Sequence, residues 1–151
     1  MKDNRNKVFI DSNVVIYAYS NSEKAKQQVA RKIVKENNTV ISTQVLQEMS
    51  NTLGRKYMLD YSSIKETLQE CIDSHNEVYI NQQQTIFKAC DIAKRYQFSF
   101  YDSLIISAAL ESNCNILYSE DLQHNQIIDG VLTIINPFTA FKKHSNPRQQ
   151  E

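Results

Sequence analysis

The chain reads as an α/β protein with a mainly parallel five-stranded sheet between helices, in three α/β/α layers. Three observations predict this. Short β-branched apolar runs alternate along the chain with longer stretches of helical apolar spacing, the order expected of successive βα units. The runs are apolar at consecutive rather than alternate positions, as in strands buried on both faces. Two of them deliver an acid at their ends, and open α/β sheets place ligands beyond the carboxyl ends of their strands.

Lys7-Val8-Phe9-Ile10 is the first strand and Asp11 ends it. Asp11 suits either a helix cap or a functional role, because Ser12 or Asn13 can cap the following turn instead. Residues 22–36 form an amphipathic helix behind a Ser or Asn cap. Val29, Ala30, Ile33 and Val34 face inward, and Lys24, Lys26, Arg31, Lys32 and Lys35 lie on the outer face. That basic face is either simply solvated or a patch for a polyanion. Residues 39–42 are the second strand. Ser42-Thr43 opens a helix whose apolar stripe is Val45, Leu46, Met49 and Leu53, and Glu48 falls beside the stripe at the border of core and solvent.

Residues 61–74 make a further helix with Ile64, Leu68, Cys71 and Ile72 inward, and residues 77–80 a third strand. The next helix turns Ile86, Ala89, Cys90, Ile92 and Ala93 inward. From Ser103 onward Leu104, Ile105, Ala108 and Ala109 recur at helical spacing. Asp102 stands at the entrance of that run, where it is either the N-cap or a functional acid. Residues 116–119 form the fourth strand and hand on Glu120 and Asp121. Gln123-His124-Asn125 is polar loop, with His124 a loop residue rather than a base. Residues 131–135 are the fifth strand, stopped by Asn136-Pro137. One domain is expected over residues 1–138, with a polar tail at 139–151.

Composition removes several classes. The chain has 151 residues, with 17 basic and 17 acidic side chains, so nucleic-acid contact must rest on local patches. Its three cysteines have no CxxC spacing and read as buried or half-buried thiols in a reducing compartment. No apolar run approaches the roughly 18 residues that span a membrane. The amino-terminal residues lack the apolar core of a signal peptide, so a cytoplasmic protein without membrane contact is expected. Two glycines leave no glycine-rich phosphate loop, and there is no histidine cluster for zinc or nucleophile elbow.

If Asp11, Glu48, Asp102 and Asp121 converge, their charges repel and call for a hard divalent cation. Magnesium or manganese suits all-oxygen ligation, often with few carboxylates and substrate phosphates. Such a site activates water for attack on a phosphodiester.

Four segments carry a resemblance: Val-Phe-Ile-Asp11-Ser-Asn13, Ser42-Thr43-Gln-Val-Leu-Gln-Glu48, Ser-Phe-Tyr-Asp102-Ser-Leu-Ile and Leu-Tyr-Ser119-Glu-Asp121-Leu. In that order they resemble the motifs of the PIN-domain ribonucleases, most closely the VapC-type toxins of toxin–antitoxin operons, over residues 7 to about 138. The resemblance implies that Asp11, Glu48, Asp102 and Asp121 bind the metal and that Asn13 and Ser119 support the first and fourth motifs. Glu120 competes with Asp121, and the Ser-x-Asp pattern favours Asp121. It also implies a PIN-like sheet, magnesium or manganese, an RNA substrate, a cognate antitoxin protein and a homodimer. Leu53, Tyr57, Met58 and Leu59 suit a groove for an amphipathic partner helix, internal packing or a homodimer contact. Two alternatives stand beside this reading. One is a catalytically silent PIN-like protein-binding module. The other is a haloacid dehalogenase-type phosphatase, against which Asn13 stands where that class carries a second Asp.

Overall fold

The computed structural model describes residues 6–141. The chain order is β1 (Lys7–Ile10), α1 (Ser12–Tyr17), α2 (Lys24–Glu36), β2 (Asn38–Ser42), α3 (Thr43–Arg55) and α4 (Tyr61–Ser74). It continues with β3 (Glu77–Tyr79), α5 (Gln83–Tyr96), α6 (Phe100–Glu111), β4 (Ile116–Tyr118), β5 (Ile127–Ile128) and β6 (Leu132–Ile135). The strands form one sheet in the order β3-β2-β1-β4-β6-β5. All pairings are parallel except β5 with β6.

The sheet therefore has six strands, not the five expected. The addition is Ile127–Ile128, two residues within a polar segment, too short for periodicity to register. The strand exists because β6 offers an open edge: Ile128 pairs with Leu132 and Ile127 with Thr133. Asp129 and Gly130 make the turn between them, both with positive φ.

The chain winds first from β1 to β2 and β3, then returns to add β4 on the other side of β1. This reversal lies between β1 and β4, and such a switch point opens a crevice outside the strand ends. The helices pack as α1 with α2 and α3, α3 with α4, and α5 with α6. Right-handed crossovers in the two winding directions put these groups on opposite faces of the sheet. Val8, Phe9, Ile10, Val40, Ile41, Leu117 and Ile134 are buried in the middle layer. Helix α6 is buried from Ser103 to Ala109, hence its apolar character all round.

Several local expectations are corrected. The cap of α6 is Ser99, whose Oγ accepts from the Asp102 N–H at 3.2 Å, so Asp102 sits in the first turn. Conversely Asp11 does cap α1, accepting from the Ser12 N–H. Helix α2 begins at Lys24 after Glu23, without a side-chain cap. On α5 the buried positions are Thr85, Ala89 and Ile92, while Ile86 and Cys90 are exposed. Leu53 belongs to the core, whereas Met58 is exposed. Lys26 is not on the outer face but half-buried against Tyr17 and Glu120. Residues 142–151, most of the expected polar tail, lie outside the described residues, as do residues 1–5. No described helix is long and apolar enough to cross a membrane.

Candidate active site

A cavity of about 400 Å³ opens beyond the switch point, and Asp11, Glu48, Asp102 and Asp121 all line it. Each acid arrives by a different route. β1 ends one residue before Asp11, whose N–H donates to Tyr118 O at 3.0 Å and so ties it to β4. β4 ends before Ser119, with Asp121 two residues further on. Glu48 projects from the second turn of α3 and Asp102 from the first turn of α6. Gln44 joins the two helices: its Nε2 donates to Glu48 Oε2 at 3.2 Å and to Tyr101 O at 3.0 Å.

The two supporting residues also take part. Ser119 donates to Asp11 Oδ2 at 2.9 Å. Asn13 spans the first and fourth motifs. Its Nδ2 donates to Asp121 Oδ2 at 3.0 Å and lies 3.5 Å from Asp11 Oδ2, while its Oδ1 accepts from the Glu120 N–H. Ser12, legible in the sequence only as a cap, donates to Glu48 Oε1 at 2.8 Å. The adjacency of Ser12 to Asp11, and the one-turn spacing from Gln44 to Glu48, are the sequence signals that point to these partners.

Asp11 is 6% exposed and every group that hydrogen-bonds it is neutral. Burial pushes its carboxyl up to about 7. The Ser119 and Ser12 hydrogen bonds pull it down, and the charges of Glu48 and Asp102 push it up. Glu120 lies outside this cavity and is engaged elsewhere: Lys26 Nζ meets its Oε2 at 2.7 Å and Tyr17 OH donates to its Oε1 at 2.9 Å. His124 is also occupied, accepting the Asn136 N–H on Nδ1 at 2.9 Å.

The donor set suits a hard cation. It is all carboxylate oxygen, and burial pushes its most buried member up to about 7, with the charges of Glu48 and Asp102 adding to the rise. Among the described residues no three His, Cys, Asp or Glu side chains are close enough to form a closed ligand set. The cavity gathers acids of the right chemistry at a wider spacing, and magnesium commonly retains waters between itself and the protein.

A parallel α/β sheet with acids at its switch point defines a class of ligand-binding α/β folds. Within it the chain belongs to the PIN-domain family, whose model matches residues 8–129. No curated protein matches by sequence. Solved structures share the fold at low identity. A toxin–antitoxin complex from Klebsiella pneumoniae is 15% identical with a TM-score of 0.65, over 86% of this chain and 97% of that one. VapBC2 from Rickettsia felis, bound to a promoter DNA fragment, is 16% identical with a TM-score of 0.62, over 86% and 98%. VapC20 from Mycobacterium tuberculosis, a Sarcin-Ricin loop cleaving toxin, is 18% identical with a TM-score of 0.60, over 76% and 89%.

Proposed function

We propose that this protein is a magnesium- or manganese-dependent endoribonuclease, the toxin of a toxin–antitoxin pair. The observation that carries the reading is the convergence of Asp11, Glu48, Asp102 and Asp121, from four separate segments, on one solvent-connected cavity. Asp11, Glu48, Asp102 and Asp121 would hold the metal. When bound, the ion acidifies a water for attack on phosphorus and stabilises the departing oxygen. Ser12 and Gln44 fix the two oxygens of Glu48, Asn13 fixes Asp121, and Ser119 orients Asp11. Rigid support of this kind governs how well liganding carboxylates are aimed.

Two features support the antitoxin. The first is chemical: an Arg side chain pairs bidentately with carboxylates and can take the cation's place in such a cavity. The second is geometric. Ile16 and Tyr57 line the acid cavity and also an adjoining one of about 310 Å³ with Tyr19, Leu53 and Leu59. An amphipathic helix seated there has its polar end at the acids.

The assay is cleavage of unpaired and hairpin RNAs by purified protein in magnesium or manganese. Cleavage by the parent and none by Asp102→Asn is expected; intact RNA in both metals, with the fold verified, overturns the reading. For the toxin role, expression alone should arrest growth and a neighbouring small protein should restore it. Normal growth at verified expression leaves a housekeeping nuclease.

A further inference from the structure

The metal-binding acids would engage the phosphate that is cut, but an RNA strand brings further phosphates to the mouth of an anionic cavity. Those need cations, and the chain's overall charge supplies none in excess. The basic outer face of α2 looks suitable in sequence, but Lys26 is committed to Glu120 and Arg31 Nε donates to Ala18 O at 2.9 Å. The cation at the cavity itself is Lys56, on the residue after α3, which lines it together with Tyr57. Although it lines the same cavity as four acids, Lys56 makes no ion pair among the described residues. Its ammonium instead lies 5.6 Å from the centre of the Tyr57 ring. Arg55, its exposed neighbour, likewise makes no ion pair there.

The two cations share a second, shallow cavity of about 390 Å³ with Asn51 and Thr52. Asn51, Thr52 and Lys56 line both cavities, so the acid site adjoins a shallow surface depression along the last turns of α3. One end of this path is anionic, suited to a metal. The other carries two cations that make no ion pair among the described residues, and hydrogen-bonding side chains, suited to phosphate and ribose oxygens. Cations at a helix C-terminus also complement its dipole, but that role needs no opening toward the acids.

We propose that a single RNA strand leaves the acid cavity along the C-terminal end of α3, with Lys56 and Arg55 holding the phosphates beside the scissile one. This rests on the endoribonuclease reading and assigns its substrate path. The test uses a labelled single-stranded RNA and protein carrying Asp102→Asn, in metal-free buffer, with the dissociation constant followed against salt. Adding Lys56→Gln or Arg55→Gln should weaken binding several-fold and lower the salt slope by about 0.7 for each phosphate no longer neutralised. Lys32→Gln, on the outer face of α2, should change neither. In the parent background Lys56→Gln should raise KM with little change in kcat. A helix-dipole role alone predicts a lower melting temperature with the salt slope unchanged, and that result overturns the proposal. So does failure of the folded protein to bind RNA. Salt-dependent binding weakened by these variants, in a parent that cuts nothing, retires the nuclease reading only. Cleavage with unaltered affinity retires the substrate path only.

Discussion

Asp11 and Glu120 stand just past the ends of the neighbouring strands β1 and β4, and the chain treats them in opposite ways. Glu120 is closed by the chain itself: Lys26 and Tyr17 OH occupy both carboxylate oxygens, and the ammonium lies 4.7 Å from the Tyr17 ring centre and 5.2 Å from that of Phe138. Burial disfavours the charge on Lys26, yet Glu120 and Tyr17 outweigh it and hold the ammonium above its ordinary pKa. Asp11, more deeply buried, receives only neutral donors and has two further acids bearing on it. A protein that places a lysine against one of these carboxylates can neutralise an acid here. Asp11 has no such partner, and on the proposed reading a cation from outside would relieve the cost in stability that this carries.

The largest effect expected is on turnover. Asp102 is in the first turn of α6, and Ser99 rather than Asp102 caps that helix. Asp102→Asn should therefore keep the fold and lower cleavage by at least about 100-fold, the upper end of losses known even for residues that only support a metal's ligands. Undiminished cleavage removes Asp102 from the open site.

Next is the pH dependence of the metal-free protein. Asp11 moves from 3.8 to about 7 on folding, so between these values the folded state binds more protons than the unfolded one. The contribution of Asp11 to stability should then fall as pH rises from about 4 through about 7, by an amount on the order of a few kcal/mol. Asp11→Asn should flatten this part of the urea-denaturation profile and melt higher than the parent at pH 8. A parent stability that rises over the interval contradicts the open-site description.

A smaller change separates the two regions directly. Magnesium or manganese at a hundredfold its dissociation constant adds about 2.7 kcal/mol, worth roughly 5–10 °C for a chain of this size. Lys26→Met strands Glu120 in a site where the pair is only 21% and 18% exposed, and should cost about 1–3 kcal/mol while leaving the metal-induced shift intact. Loss of that shift with Lys26→Met joins the two regions into one. Asp121→Asn, at an exposed acid, should weaken the metal response with the least change in metal-free melting.

Much of this was legible in the sequence for identifiable reasons. The strands that reach the site are buried on both faces and spell it in unbroken apolar runs, and the border position of Glu48 follows from its place beside the α3 stripe. What escaped was set by tertiary pairing. β5 is held by β6 rather than by its own residues. The α5 stripe runs through Thr85, which periodicity scores as polar but which hydrogen-bonds to Glu111 Oε1 at 2.6 Å in the packed structure. Lys26 sits at a helical position that local patterning assigns to solvent, and Tyr17, Glu120 and Phe138, all outside its own helix, cover it. Glu120 and Asp121 are adjacent, and what engages Glu120, Tyr17 and a lysine 94 positions away, is likewise set by tertiary pairing.

Titration calorimetry with manganese, on the parent, Asp11→Asn and Glu120→Gln, compares the open acid with the closed one in a single experiment. Saturable binding by the parent is expected, lost or greatly weakened in Asp11→Asn and retained in Glu120→Gln. Binding that survives Asp11→Asn unchanged, or a folded parent that binds no manganese at millimolar concentration, would contradict an open cation site at Asp11.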